Sequence, residues 1–354
     1  MSNPYREDIL IVKLREGLYE AIQQASEVTV ADLDSITFQK LLLKAIERFD
    51  LRGDITVQWY LDGEIIGSDQ AKIDRLGKKG RLSRANEFHL SQTPSVSTVA
   101  DFYLSMNEPS FDEFINGPTF EYLREYYQEN ERIPYRELYL KNLDIDGNLS
   151  KIRDNLKNSE NPEESEEKII NSCQEFKLEL LMYEEFSNII PYLRVFEQSA
   201  TSIIQWVINT SEVSSEKRAS LVTHCDEFYY EGLWRGIACM ISSKNVEGPS
   251  ENQVRKRRLG ELSAHKETFQ QRYEALKKEA EDAGLELSSL SKQLPELTQE
   301  ATDHEWLEET IIEASFDKEN IPIEEAAQTD DDEIFSEKDS GQPLSEMVVE
   351  ERRN

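Results

Sequence analysis

The chemistry-bearing residues of this chain are few and mostly scattered. His224, Cys225, Asp226 and Glu227 form the one local run of metal-capable side chains. Adjacent residues of a helix point about 100° apart, so His224 and Cys225 would not chelate one ion together. A metal site would need Cys173, Cys239 or a distant histidine to converge on them, as neither an HExxH nor a pair of CxxC motifs occurs. The simpler reading places Cys225 in a core and His224 at its polar margin. A cysteine nucleophile would need a histidine base from elsewhere in the fold, and the four histidines stand far apart at 89, 224, 265 and 304. Glycines are dispersed without a GxxxxGK[ST] or GxGxxG spacing, which removes the familiar phosphate-cradling loops. Paired carboxylates carry no information among 71 acidic residues. Catalytic, cofactor and metal residues are therefore expected to be none.

Three other patterns concern contact rather than catalysis. Gly232 and Gly236 are four apart, a spacing that lets a second helix approach closely. Glu231 and Arg235 beside them argue for a soluble helix–helix contact within a bundle, with a contact between subunits second. RKRR at 255–258 is a concentrated basic patch. It reads first as the solvated, salt-bridged start of a helix and second as a nucleic-acid contact. Tyr122, Tyr126, Tyr127, Tyr135 and Tyr139 suggest amphipathic packing with hydroxyls at the rim, an interface remaining the alternative.

These residues must be positioned by helices for the most part. Residues 5–25 carry Ile9, Val12, Leu18, Ile22 and Ala25 near one face, and Val28–Val30 hints at a short extended piece. Behind an N-cap at Asp34 or Ser35, FQKLLLKAIERF (38–49) has a wide apolar stripe. Ile55, Val57 and Trp59 alternate with Thr56, Gln58 and Tyr60, which predicts a half-buried strand. Asp62-Gly63 then signals a hairpin. A helix is expected from about Tyr135 to Leu156, opened by Pro134. After the polar run 158–167 the pattern is wholly helical. Stripes run from Ile169 to Val207 with a slip in register and a break at Pro191. Further helices are expected at 215–242 and at 250–283, the last stopped by Gly284. HEWLEETIIEASF (304–316) could form one amphipathic helix docked on the bundle.

Charge sets the limits on partners. The chain has 354 residues, 71 acidic against 40 basic, for a formal charge of −31. Residues 298–354 alone hold 19 acidic against 4 basic side chains, so the chain before them is acidic as well. Such a field repels phosphate backbones and anionic lipid, which makes nucleic acid an unlikely partner, and it suits hydration in concentrated salt. The loop LGKKGRLSR (76–84) is the other basic stretch. Three cysteines without disulfide density indicate a reducing compartment. No apolar run reaches signal-peptide or membrane-spanning length, so a soluble, cytoplasmic protein is expected.

FQKLLLKAIERFDLRGDITVQWYLDGEI (38–65) resembles the start of an uncharacterised domain-of-unknown-function family from salt-adapted archaea, in which a QKLLY-type helix precedes a WYxxG hairpin. More distantly it is similar to Panacea (SocA-like) antitoxin and adaptor domains. Lys40, Leu41, Leu42, Ala45 and Gly63 match, whereas Leu43 stands for the aromatic and Glu64 for the proline. The resemblance implies a helical domain that binds another protein, with Lys40, Trp59, Tyr60 and Gly63 as the candidate binding surface.

The expected fold is mostly α. An N-terminal helix-rich α+β domain with a small hairpin (1–157) is followed by an acidic linker (158–167). A long-helix antiparallel bundle (168–297) and a disordered acidic tail (298–354) complete it. The expected function is a non-enzymatic protein-binding or regulatory module, antitoxin-like, with homo-oligomerisation through the long helices open. A hydrolase or nuclease sited in the helical half, and nucleic-acid binding through the basic patches, are the alternatives.

Overall fold

A computed structural model describes residues 4–25, 33, 35–67, 93–107, 109–116, 119–129, 133–158, 165–290, 294, 295 and 297. Outside them lie Val28–Val30, the 76–84 loop, His89, most of the 158–167 run, the 304–316 segment with His304, and the acidic tail. The described residues are mostly helical with one small antiparallel sheet.

Its elements are α1 (Pro4–Ala25), α2 (Ser35–Arg48), β1 (Val57–Tyr60), β2 (Gly63–Ile66), α3 (Val96–Leu104), α4 (Phe111–Asn116) and α5 (Thr119–Glu129). Then come α6 (Arg136–Lys157), α7 (Ser165–Leu180), a 3-10 turn (Glu184–Ile189), α8 (Ile190–Asn209) and α9 (Ser215–Glu227). A π-helical turn (Phe228–Trp234) leads into α10 (Arg235–Lys244), with β3 (Val246–Glu247) and α11 (Glu251–Ala283) after it. Local chemistry explains several boundaries. Ser214 caps α9 by accepting from the Lys217 amide, and Gly284, at φ +92°, closes α11 in the left-handed region. Pro191 sits in the first turn of α8, where its missing N–H costs nothing, so the slip in register becomes a 3-10 turn before a new helix.

The sheet departs from the expected hairpin. Its order is β2-β1-β3, with Tyr60 opposite Gly63 on one side and Val57 opposite Glu247 on the other. A two-residue strand from the C-terminal half thus pairs with the N-terminal hairpin. β1 is therefore central and is covered on both faces, and Thr56 and Gln58 are as buried as Val57 and Trp59. The half-exposed alternation read from the sequence is corrected on this point. The polar residues face inward because the helices α10 and α11 lie over them: Gln58 Oε1 accepts from Ser242 Oγ at 3.0 Å and from Arg258 Nε at 3.2 Å.

Two buried clusters divide the interior. One is built from α1, α2, α3, α4, Val57 and Ile66. The other runs from Trp59 and Leu61 through α5 to α11 and on to Leu287, Leu294 and Leu297. Residues of α6 and α7, on either side of the 158–167 run, share that second cluster. The packing divides at the hairpin, where β1 supplies Val57 to one cluster and Trp59 to the other.

The two clusters are stitched by a buried carboxylate. Glu7 of α1 accepts from the Thr56 amide at 2.7 Å and from Ser250 Oγ at 2.7 Å, while Thr56 Oγ1 accepts from the Ser250 amide at 2.8 Å. The first helix, the strand and the start of the last helix meet at this one side chain. Among the described residues no helix is long and apolar enough to cross a membrane.

The hairpin tip tolerates only glycine. Gly63 has φ +80°, and a Cβ there would lie 1.9 Å from the hydroxyl of the fully buried Tyr127. Gly63→Ala is expected to destabilise the fold by about 3 kcal/mol, combining left-handed strain with overpacking. Urea denaturation with an unchanged midpoint would refute this.

Candidate functional site

Two polar nodes grip the hairpin, one from each side. Lys40 stands on the inner face of α2, flanked by Leu41 and Leu42, and is almost wholly buried. Its ammonium donates to Asp62 O at 2.6 Å, Glu64 O at 2.7 Å and Tyr127 Oη at 3.1 Å. The Glu64 amide also donates to Tyr127 Oη, at 2.7 Å. All three ammonium hydrogens are thus used by the turn and by α5. Burial lowers the Lys40 pKa to about 8, against an upward pull from Asp62, Glu64 and Glu47. The neutral amine keeps the same contacts: two hydrogens serve the carbonyls, and the Tyr127 hydroxyl can donate to the nitrogen. The Tyr127 pKa is itself raised well above the ordinary value, first by burial. Below the node, Trp59, Tyr127 and Tyr139 pack with ring centroids 4.5 to 5.7 Å apart.

The second node centres on Glu261 of α11. Oε1 accepts from Arg258 Nη1 at 2.7 Å, and Oε2 accepts from Tyr60 Oη and from Cys239 Sγ, each at 3.1 Å. Arg235 lies 3.9 Å away, and the Arg258 guanidinium stacks 3.3 Å from the Tyr60 ring centroid. Burial pushes the Glu261 carboxyl upward, but Arg258, the Cys239 thiol, Arg235 and Tyr60 together hold it below the ordinary carboxylate range. Helix spacing makes the grouping. Arg235 and Cys239 share one face of α10, Arg258 and Glu261 one face of α11, and Tyr60 reaches both from β1. Next to it His265 presses on Gly236, where a Cβ would meet the ring at 2.4 Å, and burial followed by Arg235 lowers its pKa to about 4. Neither node presents a poised nucleophile. The Lys40 ammonium and the Glu261 carboxylate are both engaged by the fold, the first with the hairpin turn and the second with Tyr60 of β1.

A cleft of about 680 Å³ opens beside β1, lined by Trp59, Glu64, Arg52, Glu47, Lys244 and Arg255 among others. Its charges are largely paired within its walls. Arg52 forks onto both oxygens of Glu64 at 3.1 and 3.0 Å and also reaches Glu47, while Arg255 bonds Glu251 and the Ser243 carbonyl.

Of the four residues expected to form a binding surface, the structure buries Lys40, Trp59 and Gly63, and half-covers Tyr60 beneath Arg258. The apolar stripe of α2 and the buried strand draw Lys40, Trp59 and Gly63 inward, while Tyr60 stays partly exposed. Gly232 and Gly236 face Phe269 and His265 of α11, so their close contact lies inside this chain. His224 Nδ1 is bonded to Ser220 O in its own helix. Cys173 and Cys225 are buried, with burial pushing the Cys173 thiol up to about 12. Among the described residues no group of three or more His, Cys, Asp or Glu could hold a metal ion. In the basic run Arg258 is buried, and Arg255 and Arg257 are bonded to carbonyls of Ser243 and Gly67. Glu7 and Glu261 do not stand out in the sequence, where they resemble ordinary helix-surface charges, and Arg258 stands out only as the last residue of the RKRR run.

One exposed feature also escapes a reading by periodicity. Leu178, Leu181 and Met182, at the end of α7, are 65%, 59% and 77% exposed. The sequence signal is LELLM, in which Leu180 continues the buried stripe and its apolar neighbours have no place on that face.

The chain matches the family model described as a domain of unknown function, DUF8098, over residues 2–79 and 69–319. No curated protein and no solved structure matches it.

Lys40 makes folding pH-dependent in a defined window. Between about pH 8 and its ordinary value of 10.5 the unfolded chain keeps a proton that the folded chain has shed, so stability rises with pH. Urea midpoints measured from about pH 7 to about pH 9.5 are expected to show this rise in the wild type and to lose it in Lys40→Met. Parallel curves for the two proteins would refute the assignment.

Proposed function

We propose that this chain, which belongs to the DUF8098 domain-of-unknown-function family, is a non-enzymatic module that binds another protein through the apolar knob at the end of α7. The observation that carries this reading is the adjacency of Leu178, Leu181 and Met182 in solvent. Their exposure leaves apolar area uncovered that contact with another protein would bury, at roughly 25 cal/mol per Å². The polar nodes support the same reading from the other direction, since Lys40 and Glu261 are engaged in holding the hairpin. Lys177, Glu179, Glu184 and Glu185 surround the knob in sequence, giving a mostly acidic rim around an apolar centre, and a partner with basic residues framing an apolar patch would complement it.

The finer reading is an antitoxin-like or adaptor role in a salt-adapted cytoplasm. It rests on the similarity of residues 38–65 to Panacea (SocA-like) domains and on the charge of −31. A surface of that charge repels itself less when salt screens it.

The knob is tested by capture at native salt from the cytoplasm of origin, with wild type and the Leu178→Glu/Leu181→Glu/Met182→Glu variant side by side. A partner recovered by the wild type and reduced at least about tenfold by a variant of unchanged melting temperature supports the reading. Equal recovery by both refutes it. Salt adaptation predicts a melting temperature that climbs steadily from low to molar salt in calorimetry; a flat response removes it.

A further inference from the structure

The outer edge of the sheet is closed by side chains. Val57 lies opposite Ile66 and Trp59 opposite Glu64, while the Gly67 amide donates to Thr56 O and the Trp59 amide to Asn245 O. In an antiparallel ladder this alternation turns the amides of Glu64 and Ile66, and the Glu64 carbonyl, away from β1. Among the described residues no strand lies beyond β2 to pair with them. Instead Gln39 Oε1 accepts from the Ile66 amide at 3.3 Å, Lys40 Nζ donates to Glu64 O at 2.7 Å, and Tyr127 Oη accepts from the Glu64 amide at 2.7 Å. Two consecutive residues of α2 thus do most of the work of a neighbouring strand, and the helix covers an edge otherwise open to pairing.

The helix that covers this edge belongs to a body with its own core. The apolar face of α2 joins α1 and α3 in the first buried cluster, where Tyr103 Oη donates to Leu41 O at 2.9 Å. The hairpin is tied the other way. Trp234 Nε1 donates to Leu61 O at 2.7 Å, Tyr60 Oη to Glu261 at 3.1 Å and Ser242 Oγ to Gln58 at 3.0 Å. The seam between the two bodies is crossed by the apolar side chains of Val57, Ile66 and Ile36. A row of polar contacts crosses it as well: Glu7 with the Thr56 amide and Ser250 Oγ, Gln39 and Lys40 with β2, and Glu47 with the Tyr126 hydroxyl at 3.2 Å. Hydrogen bonds exchange for water with a small net loss, whereas pulling either cluster apart exposes its apolar interior. The seam is therefore the plane along which separation costs least.

We propose that α1–α4 open as one body along this seam while the hairpin stays with the bundle, which makes α2 a removable guard on the edge of β2. The opened form frees the Ile66 amide and the Glu64 carbonyl, the kind of groups that an extended segment uses when it adds to a sheet. This device is separate from the knob at the end of α7 and does not depend on it.

The test is amide hydrogen exchange of the full chain, read residue by residue by NMR. Thr56 and Ile66 donate to side chains across the seam, whereas Trp59 and Gly67 donate to backbone carbonyls, and all four residues are buried. In the wild type, protection at Thr56 and Ile66 is expected to be at least about tenfold lower than at Trp59 and Gly67 and at the centres of α1 and α2. Because one opening serves both amides, Glu7→Gln is expected to speed exchange at Ile66, and Gln39→Ala at Thr56, each by at least about threefold, with α8 and α11 unchanged. Equal protection at all four amides in the wild type would overturn the proposal. So would variants that each affect only the amide they contact, or loss of protection throughout α1 and α2 in step with Thr56, which is unfolding of the body and not its opening.

Discussion

A small sheet buried on both faces must have its polar groups satisfied by whatever covers it, and this constraint organises the whole molecule. An unpaired buried carbonyl or amide costs about 1–3 kcal/mol. The strands here are only four, four and two residues long, too short to carry such losses. Lys40 answers the carbonyls of the turn from one side. Ser242 and Arg258 answer Gln58 from the other. Glu7 closes the entry to β1. Remote segments of the chain are therefore brought to one place by hydrogen-bond demand as well as by apolar burial.

The same demand explains why charged residues occupy the interior of an otherwise apolar assembly. Arg258 is buried because Glu261 neutralises it and the Tyr60 ring stacks on it, and Lys40 because three acceptors surround its ammonium. Such groups fix orientation more than they add stability. A hydrophobic contact between α2 and the hairpin could slide, whereas an ammonium with three named acceptors cannot. A glycine serves the same geometry where α10 meets α11, with Gly236 giving room for His265.

The charged lining of the cleft beside β1 is largely paired within its own walls. The knob at the end of α7 is the contrasting case, since its apolar side chains meet solvent in the described residues. Leucine and methionine side chains left in solvent carry a cost that burial of their apolar area would offset.

Periodicity determined most of the long helices, because a buried face needs apolar residues every three or four positions whatever its neighbour, but it did not show α3 or the π-helical turn that divides 215–242. The 250–283 stripe, the stop at Gly284, the hairpin at Asp62-Gly63 and the mostly α class were all legible in that way. Pairing between remote segments was not. β3 is two residues long and carries no pattern, Glu261 and Arg258 look like any charged pair three apart on a helix, and Lys40 matches a motif without revealing that its ammonium is buried. Side-chain type and spacing report which face of an element is covered. Which element covers it, and which polar groups that covering must satisfy, is decided only when the folded chain brings residues 201 positions apart into hydrogen-bonding contact, as with Tyr60 and Glu261 at 3.1 Å.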